Sequence, residues 1–198
     1  MTPGKRAFDL GLALLLSVLL APLMAGITLA ILLRDGRPVF FVSERMKAPD
    51  RPFRLWKFRT MAPGADDGLA TGGHKATRVT RLGRWLRRTR LDELPQLWNV
   101  IRGDLSFVGP RPPLRAYVER FPDLYSQVLR SRPGITGLAT LRYHAHEERL
   151  LAGVADAAEA DAIYARTCAP RKARLDLIYQ RHRTLCWDLA IMWRTVMR

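Results

Sequence analysis

From Leu10 to Leu33 the chain carries no charged residue, and the run is built mainly of Leu, Ala, Ile, Val and Gly. A continuous helix over these roughly 24 residues would extend about 36 Å, enough to cross a hydrocarbon core of about 30 Å. A membrane segment is therefore expected. The run leads into Arg34-Asp35-Gly36-Arg37 rather than into a small-residue cleavage site, so it reads as a retained segment and not as a signal peptide.

Pro22 sits at the middle of the run. It has no N–H to give, so the carbonyl of Val18 loses its helical partner, and in lipid a freed carbonyl is costly. Two solutions follow. The helix can span with a kink, or it can break at Ala21-Pro22 and return to the face it entered. Lys5 and Arg6 precede the run, and Arg34, Arg37, Arg45 and Lys47 follow it, so both flanks carry the charge of cytoplasmic segments. The second solution satisfies both flanks, and on either one the remainder of the chain is cytosolic. The expected division is a membrane-embedded re-entrant helix over 1–36 and a cytosolic, membrane-associated domain over 37–198.

The 198 residues include 33 Lys and Arg against 18 Asp and Glu, a formal charge of +15. The partner should be anionic, and nucleic acid, an acidic membrane surface and a phosphorylated substrate all fit. Cys168 and Cys186 are the only cysteines, which excludes a disulfide framework and a Cys-rich zinc site.

Beyond the membrane segment, Pro38–Val42 and Phe53–Arg59 are short, aromatic and β-branched, and Ala48–Pro52 turns between them, which predicts a small hairpin. Lys57 and Arg59 share one face of its second strand. Ala62 to Thr77, with four glycines and little to bury, reads as a mobile loop; no Gly-Lys-Ser/Thr follows, so it is not a P-loop. Arg81–Thr89 and Arg115–Leu129 are predicted amphipathic helices, Arg132–Gly137 a turn, and Val154–Ala162 an acidic surface helix. Lys172–Arg198 mixes Trp, Leu and Ile with arginines, the pattern of a helix lying in a headgroup layer. His144 and His146 have no third ligand nearby and are read as exposed. The fold class is α+β, mostly helical.

The chemistry concentrates in Leu91-Asp92-Glu93-Leu94-Pro95-Gln96-Leu97-Trp98. Leu94, Leu97, Trp98 and Ile101 recur at helical spacing, and Pro95 suits a helix's first turn, which makes Asp92 a candidate N-cap. A carboxylate there faces the positive end of a helix dipole. Arg78, Arg81, Arg84, Arg87, Arg88 and Arg90 precede the acids, and Arg102, Arg111 and Arg115 follow. From spacing alone, an ordinary capped helix with a solvated basic face and an anionic-substrate site with a nucleophile or metal ligand are equally good readings.

Ordered motifs decide further. Lys5-Arg6-Ala7-Phe8-Asp9, Pro38-Val39-Phe40-Phe41, Lys57-Phe58-Arg59-Thr60-Met61, Thr80–Arg87, Leu91–Leu97, Gly103-Asp104-Leu105-Ser106 and Gly109-Pro110-Arg111-Pro112 follow one another along most of the chain. In this order they resemble the monotopic phosphoglycosyl transferases, the bacterial sugar transferase family that acts on polyprenol phosphate.

The resemblance implies an enzyme of the bacterial inner membrane with its catalytic domain on the cytoplasmic face. It would move a phospho-sugar from a nucleotide diphosphate sugar, a UDP-sugar above all, to undecaprenyl phosphate. The products are undecaprenyl diphosphate-sugar and a nucleoside monophosphate, as in the first membrane step of glycoconjugate or exopolysaccharide synthesis. It implies Asp92 as nucleophile, Glu93 as the acid associated with Mg2+, Arg111 as a phosphate or nucleotide contact, and Lys57, Arg59 and Arg87 as further substrate-binding cations. Membrane phospholipids are implied partners, nucleic acid is not, and the oligomeric state, a homodimer included, stays open.

The chain departs from the family pattern at Ala21, where a Ser usually precedes the helix-breaking Pro, at Arg90, where Ser is common, and over Leu138–Tyr143. A reading from a different class is a membrane-anchored basic protein that binds anionic lipid or nucleic acid without catalysis. The paired acids Asp92 and Glu93 distinguish the two, because such a binder has no need of them in its most basic region.

Overall fold

The computed structural model describes residues 1–62, 78–154 and 156–197. The loop expected over Ala62–Thr77 falls, from residue 63 on, outside them.

The apolar run forms two helices, α1 (Pro3–Leu19) and α2 (Ala21–Arg34), bent by 59° about Leu20, and among the described residues no single helix is long and apolar enough to cross a membrane. Pro22 stands in the first turn of α2, where a missing N–H costs nothing within the helix. Both outer ends of the bent pair are fastened to one body. At the start of α1, Arg6 donates to the carbonyls of Val100 and Ile101 at 2.6 and 2.8 Å, and Lys5 Nζ lies 2.6 Å from Asp188. Beyond α2, Arg59 Nη2 donates to the carbonyls of Asp35 and Gly36 at 2.6 and 2.7 Å. Between these ties Leu14, Leu15, Val18, Leu19, Leu23 and Leu29 are exposed.

Strands β1 (Phe40–Ala48) and β2 (Arg51–Phe58) pair antiparallel with Phe40 opposite Phe58 and Arg45 opposite Phe53, and a bulge between Met46 and Ala48 tightens the turn. The Met46 N–H is spent on the carbonyl of Pro113, 3.0 Å away, which fastens the hairpin to the Gly-Pro-Arg-Pro loop. Helix α3 (Arg81–Thr89) keeps its predicted bounds, with Thr80 Oγ1 capping it by accepting from the Gly83 N–H at 2.9 Å.

Helix α4 (Gln96–Arg102) is held from both sides. Asn99 Oδ1 accepts from the Trp56 N–H at 3.1 Å and its Nδ2 donates to the Arg54 carbonyl at 2.7 Å, so the helix is clamped to β2. Its C-terminus closes on Gly103 at φ 82°, whose N–H donates to the Val100 carbonyl, and the Arg6 guanidinium donates to the last-turn carbonyls of Val100 and Ile101. Two three-residue strands, β3 (Ser106–Val108) and β4 (Gly134–Thr136), pair in parallel. The second lies within the stretch predicted as a turn.

The helix expected over Arg115–Leu129 is two, α5 (Arg115–Arg120) and α6 (Pro122–Val128), because Pro122 can only begin a helix. Helices α7 (Leu138–Leu151) and α8 (Ala157–Ile163) follow, then a π-helical turn, Tyr164–Cys168. The final stretch is also two helices, α9 (Ala169–His182) and α10 (Leu185–Val196). Thr184 divides them by capping α10, its Oγ1 accepting from the Trp187 N–H at 3.1 Å.

The main core gathers Ala13 of α1, Phe53 and Leu55 of β2, Leu97 and Val100 of α4, and Tyr179 and Ile191 of the last two helices. Ile27 and Ile31 of α2 pack with Phe58 and Leu86 in a separate cluster. Under α1 runs a buried polar chain. Ser106 Oγ donates to Asp9 at 2.8 Å, Lys5 reaches Asp188, and Tyr179 Oη donates to Asp188 at 2.6 Å. Asp188 accepts from both Lys5 and Tyr179, and Asp9 Oδ1, without a hydrogen bond, lies 3.5 Å from Lys5 Nζ.

Candidate active site

Asp92 is not the N-cap of α4. Arg90 ends α3 in the left-handed region at φ 57°, and Leu91–Glu93 turns at once into a short 3-10 helix, with Pro95 then preceding α4. The reversal at Arg90 is what brings the two acids under β2 instead of leaving them at a helix entrance.

Lys57, from β2, donates from Nζ to Glu93 Oε1 at 2.8 Å, and Arg111 Nη1 lies 3.9 Å from the same oxygen. Arg87 donates from Nε to Thr60 Oγ1 at 2.9 Å, and its charge acts on Asp92. Asp92 itself is buried. Burial raises its pKa above the ordinary aspartate value, the neighbouring Glu93 charge adds to that, and Lys57 and Arg87 oppose it. At Glu93 burial pushes the same way, but Lys57, Arg111 and Arg90 together outweigh it and hold the carboxyl below its usual value. Burial lowers the Lys57 ammonium, against the pull of Glu93. Two adjacent acids are thus driven apart: Glu93 keeps its charge, and Asp92 is the less stabilised, more basic carboxylate.

Lys57, Arg87 and Arg111 therefore meet the two acids. Arg59 points elsewhere. It lies just past β2, buried, with its guanidinium on the carbonyls of Asp35 and Gly36. Arg90 does act on Glu93, a role that its place in the motif did not suggest.

The loop carrying Arg111 is stiff for a steric reason. Gly109 N–H donates to the Thr136 carbonyl and Gly134 N–H to the Pro110 carbonyl, each at 2.9 Å, and a Cβ on Gly109 would meet the Arg132 carbonyl at 2.2 Å. Only glycine allows the backbones this close. Arg111 also stands between two recesses. One, of about 10 Å³, is lined by Lys57, Glu93 and Gln96; the other, of about 240 Å³, lies among α5, α6, α7 and α9. The larger was not anticipated. Four of its polar residues, Thr140, Glu147, Lys172 and Asp176, sit on two helices distant in sequence, and helical spacing of polar groups looks the same on a solvated face. His144, read as exposed, is half-buried in that wall, where burial lowers its pKa.

Among the described residues no three His, Cys, Asp or Glu side chains converge to form a cation cage. A magnesium ion does not need one: it is held by one or two carboxylates with substrate phosphates and water supplying the rest. An ionised Glu93 next to Asp92 is a donor set of that kind.

The model of the family described as bacterial sugar transferase matches residues 2–198. The undecaprenyl-phosphate glucose phosphotransferase of Komagataeibacter xylinus is 37% identical over 98% of this chain and 35% of its own length. The UDP-glucose:undecaprenyl-phosphate glucose-1-phosphate transferase of Escherichia coli K12 is 38% identical over 98% of this chain and 39% of its own length. The protein of the same description in Caulobacter vibrioides is 45% identical over 70% of this chain and 53% of its own length. The chain thus spans between a third and just over half the length of these curated relatives. From the family match across nearly all of its length, and from the agreement of the ordered motifs with it, the chain belongs to the bacterial sugar transferase family.

Proposed function

We propose that the protein transfers a phospho-sugar from a UDP-sugar to undecaprenyl phosphate through a covalent intermediate on Asp92. The observation that carries this is the pairing of a buried, more basic Asp92 with an ionised Glu93 at the point where Lys57, Arg87, Arg90 and Arg111 act together. A binding protein gains nothing from two buried acids there. A diphosphate ester can be attacked by an anion only where its own charge is neutralised, and three arginines and a lysine supply that.

In the first step an Asp92 carboxylate oxygen attacks the phosphorus that bears the sugar. The bond to the bridging oxygen breaks, and nucleoside monophosphate leaves with that oxygen and its electron pair. In the second, a phosphate oxygen of the acceptor attacks the same phosphorus, the acyl phosphate bond breaks, and Asp92 returns as a carboxylate. Glu93 would hold the magnesium ion, which when bound neutralises diphosphate charge and stabilises the leaving phosphate. Lys57 keeps Glu93 ionised and oriented, Arg111 binds phosphate from its stiff loop, and Arg87, steadied by Thr60, offsets charge at Asp92. Arg59 acts at one remove, holding the exit of α2.

The same reading makes α1 and α2 a re-entrant membrane hairpin on the cytoplasmic face of the inner membrane. The support is that Arg6 and Lys5 at one end and Arg59 at the other tie both ends to one body, whereas a spanning segment would carry its ends to opposite sides. The exposed leucines between them would enter lipid, and Trp193 and Val196 of α10, both exposed, would lie in the same surface. A polyprenyl phosphate then meets Asp92 at headgroup level.

The test is intact-protein mass spectrometry on the full chain in lipid nanodiscs, with UDP-sugar and Mg2+ but no acceptor. The wild type should gain the mass of a phospho-sugar and release UMP, and Asp92→Asn should do neither. An Asp92→Asn protein with normal turnover would refute the reading.

A further inference from the structure

The cavity of about 240 Å³ adjoins the acid site through Arg90 and Arg111, and most of its wall lies beyond that site. Two helices face each other across it. Thr140, His144 and Glu147 come from one stripe of α7, three or four residues apart, and Lys172 and Asp176 from one stripe of α9. Lys172 Nζ donates to Glu147 Oε2 at 2.8 Å, the pair being largely withdrawn from water. Asp176 is only 7% exposed. Its carboxyl accepts from the backbone N–H of Ala139 in the first turn of α7, yet Oδ1, wholly buried, meets no donor. Burial lifts this acid to about 7. Asp176 and Lys172, whose charge acts on it, both line the cavity.

We propose that this cavity receives the hexose ring of the donor, with the Asp176 carboxyl and the Lys172–Glu147 pair in its wall set to meet the ring hydroxyls. The proposal rests on the phosphoglycosyl reading above. A hexose carries a hydroxyl on most of its carbons, each a donor and an acceptor, so it matches a wall that offers acid, ammonium and hydroxyl together. The uridine of the donor offers one N–H and two ribose hydroxyls, fewer donors than a hexose brings to such a wall. Tyr117 and Tyr164, whose ring centroids lie 5.0 Å apart, give the same cavity apolar surface for the faces of a sugar ring. Arg111 lines this cavity as well as the recess at Glu93, so a phosphate held on it has one side towards the acids and the other towards Asp176. The sugar also stays on the protein after the nucleotide leaves, and a built cavity suits the part that stays.

The experiment measures binding in full-chain protein carrying Asp92→Asn, so that nothing turns over, by calorimetry in nanodiscs. The ligands are UDP and the UDP derivatives of glucose, galactose, N-acetylglucosamine and N-acetylgalactosamine. Adding Asp176→Asn keeps an acceptor for Ala139 but puts an amide N–H2 in place of one carboxylate oxygen and removes the charge. The affinity for the best UDP-sugar should fall about tenfold or more, the order of preference among sugars should change, and the affinity for UDP should stay the same. An equal loss for UDP would assign the cavity to the nucleoside and overturn the proposal. So would an unchanged affinity and order, which would leave Asp176 as a cap on α7 only, or a failure of the Asp92→Asn protein to bind any UDP-sugar. Adduct formation on Asp92 in the otherwise wild-type chain is read separately, so the pocket and the reaction can each fail alone.

Discussion

Lys57 Nζ lies 2.8 Å from Glu93 Oε1, and the two side chains keep only 17% and 12% of their exposure. The pair joins β2 to the turn that carries both acids, so the hairpin holds a charge in place for the site rather than merely covering the core. Ion pairs so far withdrawn from water differ from surface pairs in one respect: removing one partner is much worse than removing both.

That asymmetry gives the first prediction. Lys57→Met should destabilise the protein towards the low end of about 3–5 kcal/mol, since Arg111, 3.9 Å from the same oxygen, still faces Glu93. Adding Glu93→Gln should recover most of the loss, although neither variant should transfer at a normal rate. Denaturant unfolding of the wild type, both single variants and the double variant at neutral pH measures the coupling. Additive losses would mean that the two residues act separately.

The second prediction is one of pH. Burial raises Asp92, so in the folded protein it holds its proton to a higher pH than in the unfolded chain, where an aspartate titrates near about 3.9. Over the interval between those two values the folded state binds more protons, and stability falls as pH rises. Asp92→Asn removes that loss. The variant should match the wild type below the interval and exceed it in Tm above it, at about pH 8 for example. The acid limb of turnover should likewise stand above the ordinary carboxylate range. A wild type and variant with equal Tm at every pH would contradict the shift.

The third concerns Gly83, where α3 lies directly against backbone. A Cβ there would come within 2.1 Å of the Thr60 carbonyl oxygen, which also accepts from the Thr80 N–H at 3.1 Å. Gly83→Ala must push α3 away, and the Arg87–Thr60 bond goes with it. Expected are a destabilisation of about 1–3 kcal/mol, in the range of overpacked sites, and a drop in turnover. Gly153→Ala, in open space, should leave stability within about 0.5 kcal/mol of the wild type. Thermal unfolding and UMP release measured on both variants decide it.

Much of this is legible in the residues, and what is not has physical causes. The hairpin, α3 and the bend near Pro22 follow from local pattern: alternation, a Thr cap and a proline. The breaks at Pro122 and Thr184 are equally local, but the apolar period continues through both and masks them. Parallel strands of three residues, Ser106–Val108 and Gly134–Thr136, carry no period to read. Asp92 and Glu93 stand out because acids are scarce among arginines. Strand alternation groups Arg59 with Lys57, yet β2 ends at Phe58, and one residue beyond a strand alternation no longer fixes direction. Asp176 has no signal at all, because its significance comes from Ala139 and Arg111, neither of them near it in sequence.

The last prediction is topological. Pro22 removes the N–H that would straighten α1 and α2 into one helix, but the bend is also held from outside, by Arg6 and Lys5 at the start of α1 and by Arg59 beyond α2. A single cysteine placed at Thr2, in a protein lacking the buried Cys168 and the exposed Cys186, reports which side the N-terminus occupies. In intact cells a membrane-impermeant thiol reagent should not label it. Pro22→Leu restores the donor for the Val18 carbonyl, which favours a continuous helix, yet straightening must break the Arg6 and Lys5 contacts, so only a minor fraction should become labelled. Combining Pro22→Leu with Lys5→Ala and Arg6→Ala removes both restraints and should raise that fraction severalfold, with a parallel loss of UMP release, because the α4 carbonyls lose their cap. Labelling of the protein that keeps Pro22 would place its N-terminus outside and overturn the re-entrant reading in favour of a kinked span.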